Sequence, residues 1–208
     1  MATFIKTRED LNIDYLLKLK NAHNISFEEF FKSCAKDVIN NICISNGAYL
    51  YHPIEIEFYV YDKEKHADIL VYPRDEKEAG DLFFHLSGID ICFSSSIKEG
   101  RFGGILIRAL ERETDGQQFG GPLICMDEVL NSVLGKCIVK VCDKELSHQI
   151  SKVTQRKGLK GPKGSKDIYW DKKYRFVRDD VQKPIKRVEQ EFDPNTGEIV
   201  DKEKKCYL

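Results

Sequence analysis

Apolar positions along this chain recur with two different periods, and each period marks out elements. From Ser26 onward, Phe27, Phe30, Phe31, Cys34, Ala35, Val38, Ile39 and Ile42 fall on one side of a helix. Ser26-Phe27-Glu28-Glu29 supplies a capping box at its start. Thr7-Arg8-Glu9-Asp10 has the same form and predicts an earlier helix to about Lys20, with Leu11, Tyr15, Leu16 and Leu19 on its apolar side. The period then drops to two. A strand from Tyr49 to Tyr61 puts Ile54, Ile56, Phe58 and Val60 on one face and Glu55, Glu57, Tyr59 and Tyr61 on the other.

A shorter strand is predicted at Ile69–Tyr72. The stretch Leu82–Ser94 reads as a strand pair or one long bent strand, with Gly88 as a bulge or turn, and Cys137–Cys142 alternates as a strand. After Gly103-Gly104, the run Ile105–Glu111 is apolar on both faces apart from Arg108. Met126–Leu134 reads as a short helix closed by Gly135, and Glu189–Asp201 as a hairpin around Pro194-Asn195-Thr196-Gly197. No repeat or long linker divides the chain. The expectation is one α+β domain over residues 1–208, with its core at about 26–178 and a terminal hairpin and tail at 189–208.

Composition narrows the class of protein. At 208 residues, 41% apolar and 32% charged, the chain is an ordinary globular sequence able to bury one core. It has no apolar run of membrane-span length and no hydrophobic block at its start, so no membrane partner is expected. Its seven cysteines have no C-x-x-C spacing, which points to reduced thiols, a cytoplasmic or nuclear location and no metal site. No cofactor motif is present, and a monomer is expected. The net charge of −1 hides an asymmetry: Ser151–Arg187 carries 13 Lys and Arg against 4 Asp and Glu, a formal +9 that leaves −10 elsewhere. A basic, glycine-containing segment of that kind is the footprint of a polyanion binder.

The chemistry gathers around the long strand. A guanidinium among Leu106, Ile107 and Ala109 is desolvated and needs a carboxylate; Glu55, Glu57 and Glu111 are the candidates. Glu57 beside such an arginine can deprotonate a water, while Tyr59 and His66 offer flat faces to a nucleobase.

These residues carry a resemblance. Glu55-Ile56-Glu57-Phe58-Tyr59, then His66, Gly88, Leu106-Ile107-Arg108-Ala109-Leu110-Glu111 and Gly121-Pro122 follow, in order, the motifs of the alkyladenine (3-methyladenine, methylpurine) DNA glycosylase family. Trp170-Asp171-Lys172-Lys173-Tyr174-Arg175-Phe176 is similar to the family's closing W-x-x-K-P-x-R-F, so the likeness runs from about residue 26 to 178. The resemblance implies a curved, mostly antiparallel sheet, a partly open barrel flanked by helices. It also implies base-excision repair: hydrolysis of the N-glycosidic bond of an alkylated or deaminated purine flipped out of DNA, with no metal or cofactor. Glu57 matches the water-activating glutamate and Arg108 the arginine that holds that water. Tyr59 and His66 match the walls of the base pocket.

The hairpin departs from the family. One residue is missing from Leu82–Gly88, so either Phe84 or His85 takes the third stacking position. Ser87 stands where the family inserts a tyrosine into the duplex, with Leu86 or Phe102 as possible replacements. Ser87 and Gly88 at the hairpin, with Lys157, Lys160, Lys163, Lys172, Lys173 and Arg175, are the expected contacts to duplex or single-stranded DNA. Two rival readings use the same residues: a nucleic-acid-binding protein without turnover, and a buried Glu57–Arg108 ion pair beneath an unused pocket.

Overall fold

The computed structural model describes residues 3–74, 76–131, 133–144, 146–159 and 169–182, together with the backbone of 188–192 and 199–203. Among the described residues there are three α-helices, α1 (Ile13–Ala22), α2 (Phe27–Asn41) and α3 (Pro122–Asn131). The strands are β1 (Ile42–Ser45), β2 (Leu50–Asp62), β3 (His66–Ala67), β4 (Leu82–His85), β5 (Gly88–Cys92), β6 (Arg101–Arg112), β7 (Gln118–Gly120), β8 (Ile138–Val141), β9 (Ile150–Thr154), β10 (Arg175–Arg178), β11 (Val188–Phe192) and β12 (Ile199–Glu203). β11 and β12 pair antiparallel as a separate two-stranded sheet. The other ten strands make one antiparallel sheet that curls into a half-barrel along the path β4-β5-β6-β2-β1-β8. β10 and β3 also pair with β2, β7 with β6, and β9 with β10. The α+β class and curved sheet are therefore as expected. Among the described residues no helix is long and apolar enough to cross a membrane.

The helices follow their caps, with one exception. Ser26 accepts from the Glu29 amide, Glu29 returns the contact to the Ser26 amide, and the apolar side of α2 lies on β1, β2, β9 and β10. Phe31 on that side stacks on Phe58 of β2, with ring centroids 4.9 Å apart. The Thr7 box, by contrast, opens only a 3₁₀ turn (Arg8–Asp10). Leu11 and Asn12 are drawn into pairing with Ser94, so the helix restarts at Ile13 with Asn12 as its cap. α3 begins at Pro122 rather than Met126, where a proline fits because the first helical amide needs no partner. Ile69–Tyr72 is a turn, not a strand, and β9 lies where no strand was expected.

One rung across six strands organises the functional side of the sheet. Phe83 pairs with Asp90, Asp90 with Leu106, Leu106 with Glu57, Glu57 with Arg175, and Arg175 with Thr154. Residues opposite one another share a face, so Asp90, Glu57 and Arg175 stand on the same side. The neighbouring rungs carry Ile89, Ile91, Ile105, Ile107, Ile56, Phe58 and Phe176, all buried in the core. The sheet thus has an apolar face under α2 and a charged face that is also largely buried.

Candidate functional site: a charged cleft on the polar face of the sheet

Two bulges turn the key arginine toward the carboxylates. The β2–β6 register passes from Pro53 opposite Leu110 to Glu55 opposite Ala109, and then to Ile56 opposite Ile107. Ile54 is therefore an extra residue in β2, and Arg108 an extra residue in β6. A bulge re-aims the side chain it carries. The Arg108 carbonyl, displaced from the ladder, accepts instead from the Gly121 amide at 2.7 Å. Close approach of β6 to β2 also depends on Gly103, because a Cβ there would collide with the Tyr59 carbonyl oxygen.

Arg108 donates from Nε to Glu55 Oε1 (3.0 Å) and from Nη1 to Glu57 Oε2 (3.4 Å). Arg175 donates from Nε to the same Glu55 oxygen (2.7 Å) and from Nη1 to Thr154 Oγ1 (3.1 Å). Two arginines and two glutamates therefore compensate one another in a dry setting. Glu57 has no exposed surface. Its Oε1 accepts from the Lys157 amide (2.8 Å) and its Oε2 from the Tyr59 hydroxyl (3.0 Å). Burial pushes the Glu57 carboxyl above its ordinary value, against the opposing pull of Arg108, the Lys157 amide, Tyr59 and Arg175. Burial, reinforced by the Glu57 charge, likewise holds the Tyr59 hydroxyl in its protonated form.

Above this network opens a cleft of about 310 Å³, lined by Tyr59, Tyr72, Arg74, His85, Asp90, Arg108 and Lys157 among others. That volume is at the small end of ligand pockets. Tyr59 forms part of the wall. Behind it lies Arg156, 4.6 Å from its ring centroid, whose guanidinium is held by Asp68 at 2.7 Å and by the Phe58 and Tyr169 carbonyls. The Tyr59 ring is thus fixed before any ligand arrives.

Several expected site residues lie elsewhere. His66 is 1% exposed, on the core side, with Phe27 at 4.4 Å and Tyr169 at 4.6 Å between ring centroids. Its Nδ1 meets the Val60 carbonyl, which can only accept, so the proton sits there and Nε2 accepts from the Tyr174 hydroxyl. His66 is a core histidine, not a pocket wall. Phe84 packs against the core, whereas His85, one residue on, lines the cleft; strand alternation separates them. Ser87 also lines the cleft. Gly88 has φ +132°, and a Cβ there would meet Pro122 of α3 at 2.7 Å, so its glycine seats the hairpin on that helix. Arg175 is not a DNA contact: it is 5% exposed and spent on Glu55. Arg156 and Arg178, counted in the basic segment, are also buried in ion pairs. Lys157 lines the cleft, Lys172 is half-buried, Lys173 is exposed, and Lys160 and Lys163 lie outside the described residues. His148, Asp179 and Asp180 bring ligand atoms within 4.8 Å of one another, but Arg178 already engages Asp180.

The chain matches no protein-family model and no curated protein.

Two charged cleft residues escaped the sequence. Asp90 interrupts the apolar run Ile89–Cys92 as Arg108 interrupts its own strand, and that same signal could have found it. Arg74 sits in a charged loop where nothing in the pattern distinguishes it from Lys77 or Glu78.

Proposed function

We propose that this protein hydrolyses the N-glycosidic bond of a damaged purine displaced from DNA, with Glu57 as general base and Arg108 as its orienting partner. The observation that carries the reading is Glu57 itself, a carboxylate buried directly beneath an aromatic, cationic cleft. It is linked to the cleft by Arg108 and Tyr59, which reach both. Its raised proton affinity suits a base that must take a proton from water. In the reaction, a water between Arg108 and Glu57 gives a proton to Glu57 and its oxygen bonds to C1′. The C1′–N bond breaks with its electron pair leaving on the purine. The Lys157 amide must first release Glu57 Oε1.

Access to a flipped base calls for a side chain that fills the vacated stack. Leu86 is 97% exposed at the tip of the β4–β5 hairpin, between the cleft residues His85 and Ser87. Leucine is one of the wedges used for this purpose. Phe102, 7% exposed and stacked on Tyr61 at 4.6 Å, is not placed for it.

A second reading, a pocket that binds nucleic acid without turnover, is favoured by one observation: both Glu57 oxygens are already hydrogen-bonded and shielded. Incubation with oligonucleotides containing 1,N6-ethenoadenine, hypoxanthine or 3-methyladenine separates the two. Free base and an abasic strand are expected from at least one of them. Salt-dependent binding with no base release from any would leave the binding pocket.

A further inference from the structure

The wall of the cleft away from Glu57 holds charged groups that the hydrolysis scheme does not use. Arg74 is 4% exposed and lines the cleft. Its Nη2 is paired with Asp90 Oδ2, and its guanidinium lies 5.4 Å from the Phe83 ring centroid. Its Nε and Nη1 are buried without a hydrogen-bond partner. Asp90, 1% exposed, meets Arg74 through Oδ2 alone: its other oxygen, Oδ1, lies 3.2 Å from His85 Nε2, and neither of those two atoms completes a hydrogen bond. His85 in turn accepts the Ser87 amide at Nδ1 (3.3 Å), which leaves its proton on Nε2. Asp90 therefore holds the guanidinium through a single oxygen, and Arg74 keeps two donors unmet.

A buried cation with unmet donors is an expensive arrangement unless something supplies acceptors. The surroundings say what kind. Arg74, Arg108 and Lys157 line the cleft together, and Asp90 is the one carboxylate among the described lining residues; Asp90 balances Arg74, Glu55 and Glu57 balance Arg108 from below, and Lys157 remains as the net charge. The excess is cationic, so the complementary ligand group is an oxyanion.

We propose that Arg74, held in place by Asp90, is the anchoring donor of a phosphate subsite in this cleft. The ligand it takes is a purine nucleotide, with the base against Tyr59 and a phosphate oxygen on Arg74. The purine part of this assignment rests on the proposed function; the oxyanion part rests on the cleft alone. A phosphate can come from a free nucleotide or from a strand.

Calorimetric titration of the full chain with inorganic phosphate, a purine nucleoside, its 5′-monophosphate and a short single-stranded oligonucleotide separates these cases. Phosphate is expected to bind weakly and to compete with the monophosphate. The monophosphate is expected to bind about tenfold tighter than the nucleoside, the effect of one charge-assisted hydrogen bond. Arg74→Lys, which keeps the charge but loses both unmet donors, should abolish that preference and leave nucleoside binding in place. Tight, Arg74-dependent binding of the oligonucleotide but not of the mononucleotide also supports the subsite and assigns the phosphate to a strand. As a readout that needs no variant, the Arg74 Nε–H resonance of the wild-type chain should shift as phosphate is added. Equal binding of nucleoside and monophosphate, with no shift of that resonance, overturns the proposal and leaves base hydrolysis untouched. Arg74-dependent nucleotide binding without base release from any damaged strand sinks the hydrolysis and leaves the subsite standing.

Discussion

Replacing Arg175 by methionine should destabilise the fold far more than loss of a surface arginine, and a second substitution should restore part of the loss. Arg175 and Arg108 together balance Glu55 and Glu57, with all four side chains between 0% and 13% exposed. Arg175→Met leaves one negative charge in that space without its counterpart. Breaking a buried pair from one side costs about 3–5 kcal/mol, because the remaining charge stays desolvated. For a chain of this size, about 2–4 °C of melting temperature corresponds to each kcal/mol, so the midpoint should fall by about 6–20 °C. Glu55→Gln alone should also destabilise, by leaving an excess of positive charge. In the double variant Arg108 and Glu57 remain as a balanced pair. Its loss should therefore be smaller than the sum of the two, by about 2 kcal/mol or more. Chemical denaturation of the four proteins gives the cycle directly. Additive losses, or a cost of less than about 1 kcal/mol for Arg175→Met, the range of a surface pair, would refute the idea of a closed, compensated network.

Three other outcomes follow from the geometry. Leu86→Ala should leave the melting temperature unchanged, since the side chain is 97% exposed. It should lower base release from duplex but not from single-stranded DNA; equal effects on both would remove Leu86 as the wedge. Gly103→Ala should cost about 3 kcal/mol or more by forcing β6 away from the Tyr59 carbonyl, and a melting temperature within a degree or two of wild type would contradict the packing. Burial lowers the proton affinity of both His66 and His85 from the ordinary value of 6.5, aided at His85 by the Arg74 charge. The unfolded chain then binds protons that the folded chain does not, so stability is present above pH 6.5 and is lost as pH falls below it. The slope should approach about 1.4 kcal/mol per pH unit for each histidine. Glu57 acts in the opposite sense nearer its own raised value. Imidazole resonances of His66 that titrate at or above 6.5 would show the burial argument to be mistaken.

The long strand and α2 were legible because each rests on a local signal: a period of two, or a capping box followed by a broad apolar face. The Arg108 partnership was legible for a different reason, since one charge in an apolar strand must be answered by another. Two things were not legible. Register is a long-range property, so no local pattern reveals that Ile54 and Arg108 are extra residues whose bulges aim the guanidinium at Glu55 as well as Glu57. Side-of-sheet assignment failed at His66, which the sequence sets beside Tyr59 as a face for the base while α2 and Tyr174 in fact cover it on the core side. The basic segment misled in the same way. Counting charges in sequence does not separate Lys173, which is exposed, from Arg156, Arg175 and Arg178, which are themselves buried and paired with acids.

The central claim is that Glu57 supplies the chemistry and that the network around it only holds it in place. Comparing wild type and Glu57→Gln on one damaged oligonucleotide, with base release and strand binding measured on the same preparations, tests it most directly. The account predicts base release lowered by about 10²–10⁴-fold, the usual contribution of a general base, with strand binding and cooperative unfolding retained. Base release undiminished in the variant would contradict it.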